Sequence, residues 1–237
     1  MKKRIWELDA LRGLAILIVI AIHLTYDLVV LYGVWELKDP RLFNFSRDWG
    51  GVIFLIISGI CVTIGSHPVK RGITVFLCGM LITLVTAMMY VLNFTGSYII
   101  IYFGVLHCLG TCMLLWPLLR KLPTWLLAVL GIAIVAAGLF VVADIRVNFP
   151  WLIPLGFTTR SFTSSDYFPL LPNLGYFLLG AFLGRTLYRN KASLLPNVNA
   201  GNPILRFLCF CGKQSLLIYL VHQPVLAALI ALLLPLF

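Results

Sequence analysis

Three of the four histidines, His23, His107 and His222, lie inside apolar runs long enough to cross a bilayer. An ionisable side chain in hydrocarbon is costly, so such residues usually mark a functional site. Asp27 follows His23 by four residues, which places a carboxylate on the same face of a helix. An imidazole beside a carboxylate at membrane depth predicts proton transfer, with His23 as a base and Asp27 fixing its tautomer.

The other two histidines are expected at a similar depth. His107 lies about nine residues into its run and His222 lies midway along the last run, which places both near mid-membrane at about 1.5 Å per residue. Three rings at one depth could line one cavity, and three that converge would suit zinc. Because Asp27 already accounts for His23 and the other two lack a carboxylate partner, we expect no metal. Histidines that only join neighbouring helices are the alternative.

Polar residues at one end of the apolar runs are candidates for binding a phosphate-bearing ligand. Asp9 falls in the first turn of the first predicted helix and Arg12 follows three residues later, so the two can pair. An arginine that faces the bundle could hold a phosphate, and the alternative is a helix cap with a topology signal. The further candidates on this side are Ser58, Arg71 and Lys121. Helix contact is the alternative for Ser58, and attraction of anionic lipid headgroups is the alternative for the basic residues.

Composition identifies the elements that must position these side chains. The chain has 237 residues, of which 61% are hydrophobic and 11% charged, whereas soluble domains are about a quarter charged. This predicts an all-α, polytopic membrane helix bundle forming a single domain over residues 1–237. The net charge of +10 does not indicate nucleic acid, because the basic residues cluster in short loops between apolar runs. No cleavable signal is expected, because the first run is too long and lacks a small-residue cleavage site.

Seven membrane spans are predicted, each near the roughly 20 residues that crossing requires. They are Leu11–Leu31, Trp49–Gly65, Gly72–Leu92, Tyr98–Leu119, Pro123–Ala143, Leu170–Tyr188 and Leu205–Leu234. Pro224 is expected to bend or tilt the last one beside His222. Thirteen lysines and arginines fall on one side and five on the other, which predicts a cytoplasmic amino terminus and an external carboxyl terminus.

The outer side carries the two longer predicted loops, Tyr32–Asp48 and Asp144–Pro169. The stretch Thr158–Pro172 is polar and aromatic. A loop of this length between spans is often functional, and a surface lid is the alternative. The candidates for binding a substrate here are Asp48, Trp49, Arg160, Asp166 and Tyr167. Several aromatic residues on this side are also expected to form part of an interfacial belt, namely Trp35, Trp49, Trp151 and Tyr167.

An ordered set of motifs resembles one family of membrane enzymes. The opening Glu7-Leu-Asp-Ala-Leu-Arg-Gly-Leu-Ala15 strongly resembles the transmembrane acyltransferases of the heparan-alpha-glucosaminide N-acetyltransferase catalytic-domain type. His23-Leu-Thr-Tyr-Asp27 and Asp48-Trp49 leading into Ser58-Gly59 look like its small bacterial members. Gly104-Val-Leu-His-Cys-Leu-Gly110 resembles the fourth-span motif, Asp166-Tyr-Phe-Pro169 the outer loop, and Ser215 to Pro224 the last span. The match covers nearly the whole chain.

The resemblance implies an acetyl group taken from cytosolic acetyl-CoA and delivered to an acceptor, typically a sugar, on the far side of the membrane. For such an acyltransferase we expect Arg12, Arg71 and Lys121 to hold the CoA phosphates, and His107 and His222 to line the channel and stabilise the thioester oxygen. The resemblance also implies a bacterial or archaeal cell membrane and makes a homodimer an expectation. In the lysosomal enzyme an Asn is expected at the position of His23 and the essential His in the following loop, whereas Tyr32–Asp48 contains no His.

Two other functions remain open from the sequence. A proton-coupled transporter or channel could use the three histidines as a relay, although no internal repeat supports an inverted-repeat transporter. A structural or lipid-binding membrane protein could use them only to join helices. The acetyl acceptor is also open, because a glycan, a lipid-linked sugar and a small amine or hydroxyl compound all fit the residues.

Overall fold

The computed structural model describes residues 5–37, 39–198 and 202–233, apart from the side chains of Arg47 and Asp48. Lys2, Lys3, Arg4, Lys38 and Leu234 therefore lie outside the described residues. Eight α-helices run through the described part of the chain. They are α1 (Trp6–Tyr26), α2 (Arg41–Ile64), α3 (Pro68–Val91), α4 (Val105–Leu119), α5 (Thr124–Phe140), α6 (Leu170–Leu187), α7 (Pro203–Lys213) and α8 (Ser215–Leu233).

The predicted all-α fold is confirmed. The described residues contain no β-strand, and their only extended pairings are two isolated bridges, Phe103 with Tyr167 and Arg146 with Thr158. Within this part of the chain, five helical segments are long and apolar enough to cross a membrane: Trp6–Leu31, Arg41–Ile64, Pro68–Val91, Thr124–Asp144 and Ser215–Leu233. The chain is thus an integral membrane protein, while the count of seven spans and the orientation of the termini stay predictions.

The chain divides into two compact units. The first comprises Met1–Phe54 and Lys191–Phe237, and the second comprises Leu55–Asn190. We refer to them as the terminal unit and the central unit. The prediction of one domain over residues 1–237 stays a prediction.

In the terminal unit, α1 packs against α7 and α8. A Cβ atom on Gly13 would collide with the Leu208 carbonyl, and one on Gly212 would collide with the Asp9 carbonyl. Small residues at both positions therefore allow the backbones of α1 and α7 to approach closely, as is common between membrane helices. The buried Glu7 carboxylate accepts hydrogen bonds from Ser193 Oγ (2.9 Å) and the Leu194 amide (2.8 Å), which fixes the segment before α7 to the start of α1.

In the central unit, the main pairs are α5 with α6 and α3 with α4. Glycines again set the closest approaches, because a side chain at Gly59, Gly180 or Gly184 would collide with the backbone of the facing helix. These contacts join the second half of α2 to α6. Ser58 directly precedes Gly59 on α2 and is 3% exposed; its role stays a prediction.

The first outer loop is shorter than predicted. The sequence predicts a loop over Tyr32–Asp48, but α2 begins at Arg41, so Trp49 lies in the third turn of this helix. Asp39 Oδ1 accepts a hydrogen bond from the Arg41 amide at 2.9 Å, and Pro40 stands between them. A short hydrogen-bond acceptor followed by proline is a common helix start, which explains why the helix begins here.

The α-helix in the fourth predicted span, Tyr98–Leu119, begins only at Val105, and a 3-10 turn at Ser97–Ile99 lies ahead of it. Hydroxyl groups satisfy the irregular backbone ahead of α4. Thr83 Oγ1 donates to the Ile101 carbonyl, the Ile101 amide donates to Thr86 Oγ1 (3.2 Å), and Ser164 Oγ donates to the Ile100 carbonyl (2.9 Å). Irregular backbone in an apolar setting requires such partners. His107 consequently lies in the first turn of α4, not nine residues into a helix as we expected.

The seventh predicted span, Leu205–Leu234, is two helices. α7 ends at Lys213 and α8 begins at Ser215, with Gln214 at φ −100° and ψ 12° between them. The interruption thus falls before His222, whereas we expected a bend at Pro224. The close packing of Gly212 on α1 holds α7 in a position of its own, and hydropathy does not reveal such a contact.

Candidate functional site

Four polar side chains from α1 and α8 meet in the terminal unit. The rings of His23 and His222 contact edge to face, with centroids 4.8 Å apart. Gln223 Nε2 donates to both carboxylate oxygens of Asp27, at 3.0 and 2.9 Å. Asp27 is 2% exposed and His222 7% exposed. We call these four residues the α1–α8 cluster.

Backbone carbonyls determine the tautomers of the two rings. His23 Nδ1 lies 2.9 Å from the Val19 carbonyl, and His222 Nδ1 lies 2.6 Å from the Tyr219 carbonyl. A carbonyl oxygen only accepts, so each Nδ1 carries a proton. In the neutral rings each Nε2 is therefore a lone pair, which is the atom that a general base needs.

Asp27 is held by Gln223. The sequence predicts that Asp27 fixes the tautomer of His23, but both its oxygens accept from Gln223, and no hydrogen bond joins it to the His23 ring. Asp27 lies within electrostatic reach of that ring. It is the first residue of a π-helical turn, Asp27–Leu31, that continues α1. Such widened turns often occur at functional sites, where they re-aim a side chain.

Gln223 was missed by the sequence reasoning. It is a polar residue inside an otherwise apolar helix, directly after a histidine, and that placement was an available signal. Two atoms of this cluster, His222 Nε2 and Gln223 Oε1, are buried and make no hydrogen bond with any described residue. Buried polar atoms in proteins are nearly always hydrogen-bonded, so these two require an explanation.

His107 belongs to the central unit and both its ring nitrogens are engaged. Its Nδ1 accepts from the Gly104 amide at 3.2 Å, and its Nε2 lies 3.3 Å from Thr83 Oγ1. The ring packs against Phe76 and Phe103 and is 2% exposed. His107 thus closes the first turn of α4 by accepting from the residue that precedes the helix, in the manner of half a capping box.

The residues expected to bind a phosphate are distributed over both units. In the terminal unit, Arg12 Nη1 lies 4.0 Å from Asp9 Oδ1, at the outer limit of an ion pair, and the Arg12 side chain is 18% exposed. In the central unit, Arg71 is half-buried on α3, and Lys121 is exposed in the turn after α4. These positions put two exposed or half-exposed cations at the ends of α3 and α4.

In the outer loop of the central unit, Asp166 and Tyr167 make hydrogen bonds to the backbone. Asp166 Oδ2 accepts from the Val105 amide at 3.1 Å, so its carboxylate caps the start of α4. The Tyr167 hydroxyl donates to the Ile153 carbonyl at 2.6 Å. Burial raises the pKa of Tyr167 to about 12, with Arg146 acting in the opposite direction. Arg160 is exposed.

In the terminal unit, Trp49 is exposed on α2 and stacks near Phe45, with centroids 6.1 Å apart. The Asp48 side chain lies outside the described residues. Among the residues that the structure does describe, no group of three or more His, Cys, Asp or Glu side chains is arranged to hold a metal ion.

Comparison with known proteins agrees with the motifs. No curated protein and no solved structure matches the chain. The model of a family described as "Heparan-alpha-glucosaminide N-acetyltransferase, catalytic" matches residues 4–224. This span contains the whole α1–α8 cluster, the cap of α4 and the Asp9–Arg12 pair. The chain therefore belongs to the heparan-alpha-glucosaminide N-acetyltransferase catalytic family, a family of membrane acetyltransferases.

Proposed function

We propose that the chain transfers an acetyl group from cytosolic acetyl-CoA to an acetyl acceptor on the far side of the membrane, with His23 as the general base. The observation that carries the proposal is the His23 ring itself. The Val19 carbonyl holds its Nδ1 proton, which leaves the Nε2 lone pair for chemistry inside a half-buried polar cluster. The glucosaminide in the family's description makes a sugar the first acceptor to test.

The reaction needs one proton to be moved and returned. His23 Nε2 takes the proton from the hydroxyl or amine of the acetyl acceptor as its oxygen or nitrogen attacks the thioester carbonyl. The C–S bond then breaks, and the proton on Nε2 passes to the departing CoA sulfur. Asp27 lies within electrostatic reach and favours the imidazolium that exists between these steps.

Positive charge supports the binding of acetyl-CoA. Arg12 of the terminal unit is the proposed partner of a CoA phosphate, since a guanidinium group binds phosphate strongly. The roles of Arg71 and Lys121 stay predictions from the sequence. Asp9 keeps Arg12 aligned along α1 until a phosphate competes for it. In this proposal His107 has a structural role, because both its nitrogens are already engaged in the cap of α4.

The experiment incubates the purified chain in nanodiscs with acetyl-CoA and a sugar acceptor, and it measures the release of free CoA. His23→Asn keeps a donor at the position of Nδ1 and removes the base, so we expect a loss of about 10²–10⁴-fold in rate. Exposed Val225 on α8 provides the control, since Val225→Ala is expected to retain the wild-type rate. Wild-type turnover by the His23→Asn variant would remove His23 from the mechanism.

A further inference from the structure

We infer that the α1–α8 cluster binds the nucleophilic group of the acetyl acceptor and that His222 and Gln223 are its anchoring residues. The inference rests on the proposed function and goes further, because it states which of the two substrates His222 and Gln223 bind. It also gives His222 a different partner from the thioester oxygen that we expected from the sequence.

The atoms of the cluster that remain available for hydrogen bonding are acceptors. Nδ1–H of each histidine is spent on a backbone carbonyl, so each neutral ring presents only a lone pair. The Gln223 amide nitrogen must face Asp27, because a carboxylate accepts and does not donate. Its Oε1 is then left as a further hydrogen-bond acceptor. The cluster thus offers acceptor atoms from His23, His222 and Gln223.

Two of these acceptor atoms are buried, and burial without a hydrogen bond costs free energy unless a donor reaches them. A buried polar atom without a hydrogen bond costs about 1–3 kcal/mol. Both His222 Nε2 and Gln223 Oε1 are in this condition with respect to the described residues. A group that brings at least two O–H or N–H bonds, such as a primary amine or two neighbouring hydroxyls, would satisfy both atoms and place its own nitrogen or oxygen beside His23.

The two substrates differ in what they can bring. The reacting end of acetyl-CoA has a carbonyl oxygen and a sulfur, which only accept, and the tetrahedral intermediate needs donors around its oxyanion. Neutral His222 and the Oε1 of Gln223 offer none. A hydroxyl or an amine brings the donors that this cluster lacks, so the cluster fits the acetyl acceptor and not the thioester.

The test separates affinity for the two substrates. Hydroxylamine serves as the probe acceptor, because it carries both O–H and N–H and yields acetohydroxamate from acetyl-CoA. The variants are His222→Asn, which keeps a donor near the Tyr219 carbonyl but removes Nε2, and Gln223→Leu. His222→Gln is the conservative partner, since its amide reaches the position of Nε2. Val225→Ala on the exposed side of α8 is the control.

We expect His222→Asn and Gln223→Leu each to raise the KM for hydroxylamine about tenfold, the loss of one buried hydrogen bond. Calorimetric affinity for acetyl-CoA should stay within about twofold of the wild type, and His222→Gln should recover part of the lost affinity for hydroxylamine. D-glucosamine and D-glucose, offered in parallel, distinguish an amine from a hydroxyl through the N- or O-acetyl product. Thermal unfolding checks that each variant is folded. If Gln223→Leu does not fold, the result for His222→Asn alone decides the test.

The outcomes are distinguishable. Formation of acetohydroxamate and free CoA by the wild-type protein no faster than in a protein-free blank would overturn the proposed function, and the inference with it. If the wild type is active but the variants lose affinity for acetyl-CoA instead, the cluster belongs to the donor and the inference is overturned alone. An unchanged KM for hydroxylamine in a folded His222→Asn variant would also overturn the inference.

Discussion

At the scale of single residues, the position of one proton decides what a histidine can do. His23 and His222 each spend Nδ1–H on a carbonyl of their own helix, which leaves Nε2 as a lone pair. His107 is arranged the other way: the Gly104 amide donates to its Nδ1, which places the proton on Nε2 toward Thr83. Three histidines that look alike in the sequence are therefore two candidate bases and one cap.

Asp27→Asn tests which group orients His23. Because the Val19 carbonyl already holds the ring, loss of the carboxylate should reduce kcat by only about tenfold through weaker stabilisation of the imidazolium. Removal of a hydrogen-bonded orienting carboxylate in a serine-protease triad costs about 10⁴-fold. Steady-state kinetics with acetyl-CoA and hydroxylamine distinguish the two. A loss near 10⁴-fold in the Asp27→Asn variant would show that the carboxylate orients the ring during turnover.

Tyr167 predicts a loss of stability in alkaline solution. Its folded-state pKa of about 12 lies above the ordinary value of 10.0, chiefly through burial. The neutral phenol is thus favoured by folding, and this contribution is complete below pH 10 and declines as the pH rises toward 12. Thermal unfolding from pH 9 to 12 should show a steeper decline for the wild type than for Tyr167→Phe. Parallel declines in the two proteins would contradict the prediction.

At the scale of elements, α4 is held at both ends by side chains of opposite charge. Asp166 accepts from the first amide of the helix. At the other end, Arg185 donates to the carbonyls of Arg120 and Leu122 and lies 5.3 Å from the centre of the Trp116 ring. Each charge complements the helix dipole at its end. The Asp166 motif that resembles an acceptor-binding loop thereby fixes the helix that carries His107.

Removal of either cap should destabilise the protein. We expect Asp166→Ala to cost about 1 kcal/mol and to lower Tm by about 2–4 °C. Arg185→Ala should cost about 2 kcal/mol, because its hydrogen bonds involve a charged group. The controls are Asp144→Ala and Arg189→Ala, which remove exposed charges of the same sign in the central unit. Differential scanning fluorimetry in detergent measures all four, and a Tm for the cap variants equal to the controls would refute the capping role.

At the scale of the whole molecule, the asymmetry of basic residues predicts how the chain crosses the membrane. The apolar runs predict seven crossings, and thirteen lysines and arginines against five predict an amino terminus in the cytoplasm. Five helical segments of the described chain are long and apolar enough to cross. The apolar helix Val105–Leu119 is shorter, and it is preceded by backbone that hydroxyl groups satisfy.

Reporter fusions test this topology. Alkaline phosphatase joined after Gly96 or after Ser164 should be active, because both positions are predicted outside, and fusions after Ser66, Lys121 or Lys191 should be inactive. Green fluorescent protein at the same positions should give the opposite pattern. A fusion after Lys121 that is active as a phosphatase would show that α4 does not cross and that the chain has fewer than seven spans.

The sequence by itself determined the membrane class, the helical fold, the approximate helices and the presence of His23, Asp27 and His222 within apolar runs. These follow from hydropathy and from helical spacing, which are properties of residues near one another in the chain. The tertiary structure alone decided how their polar atoms are used. Gln223 reaches Asp27 across 196 residues and Asp166 reaches Val105 across 61. No local pattern encodes such a pairing, because a hydrogen bond depends on where two distant backbones bring their side chains together.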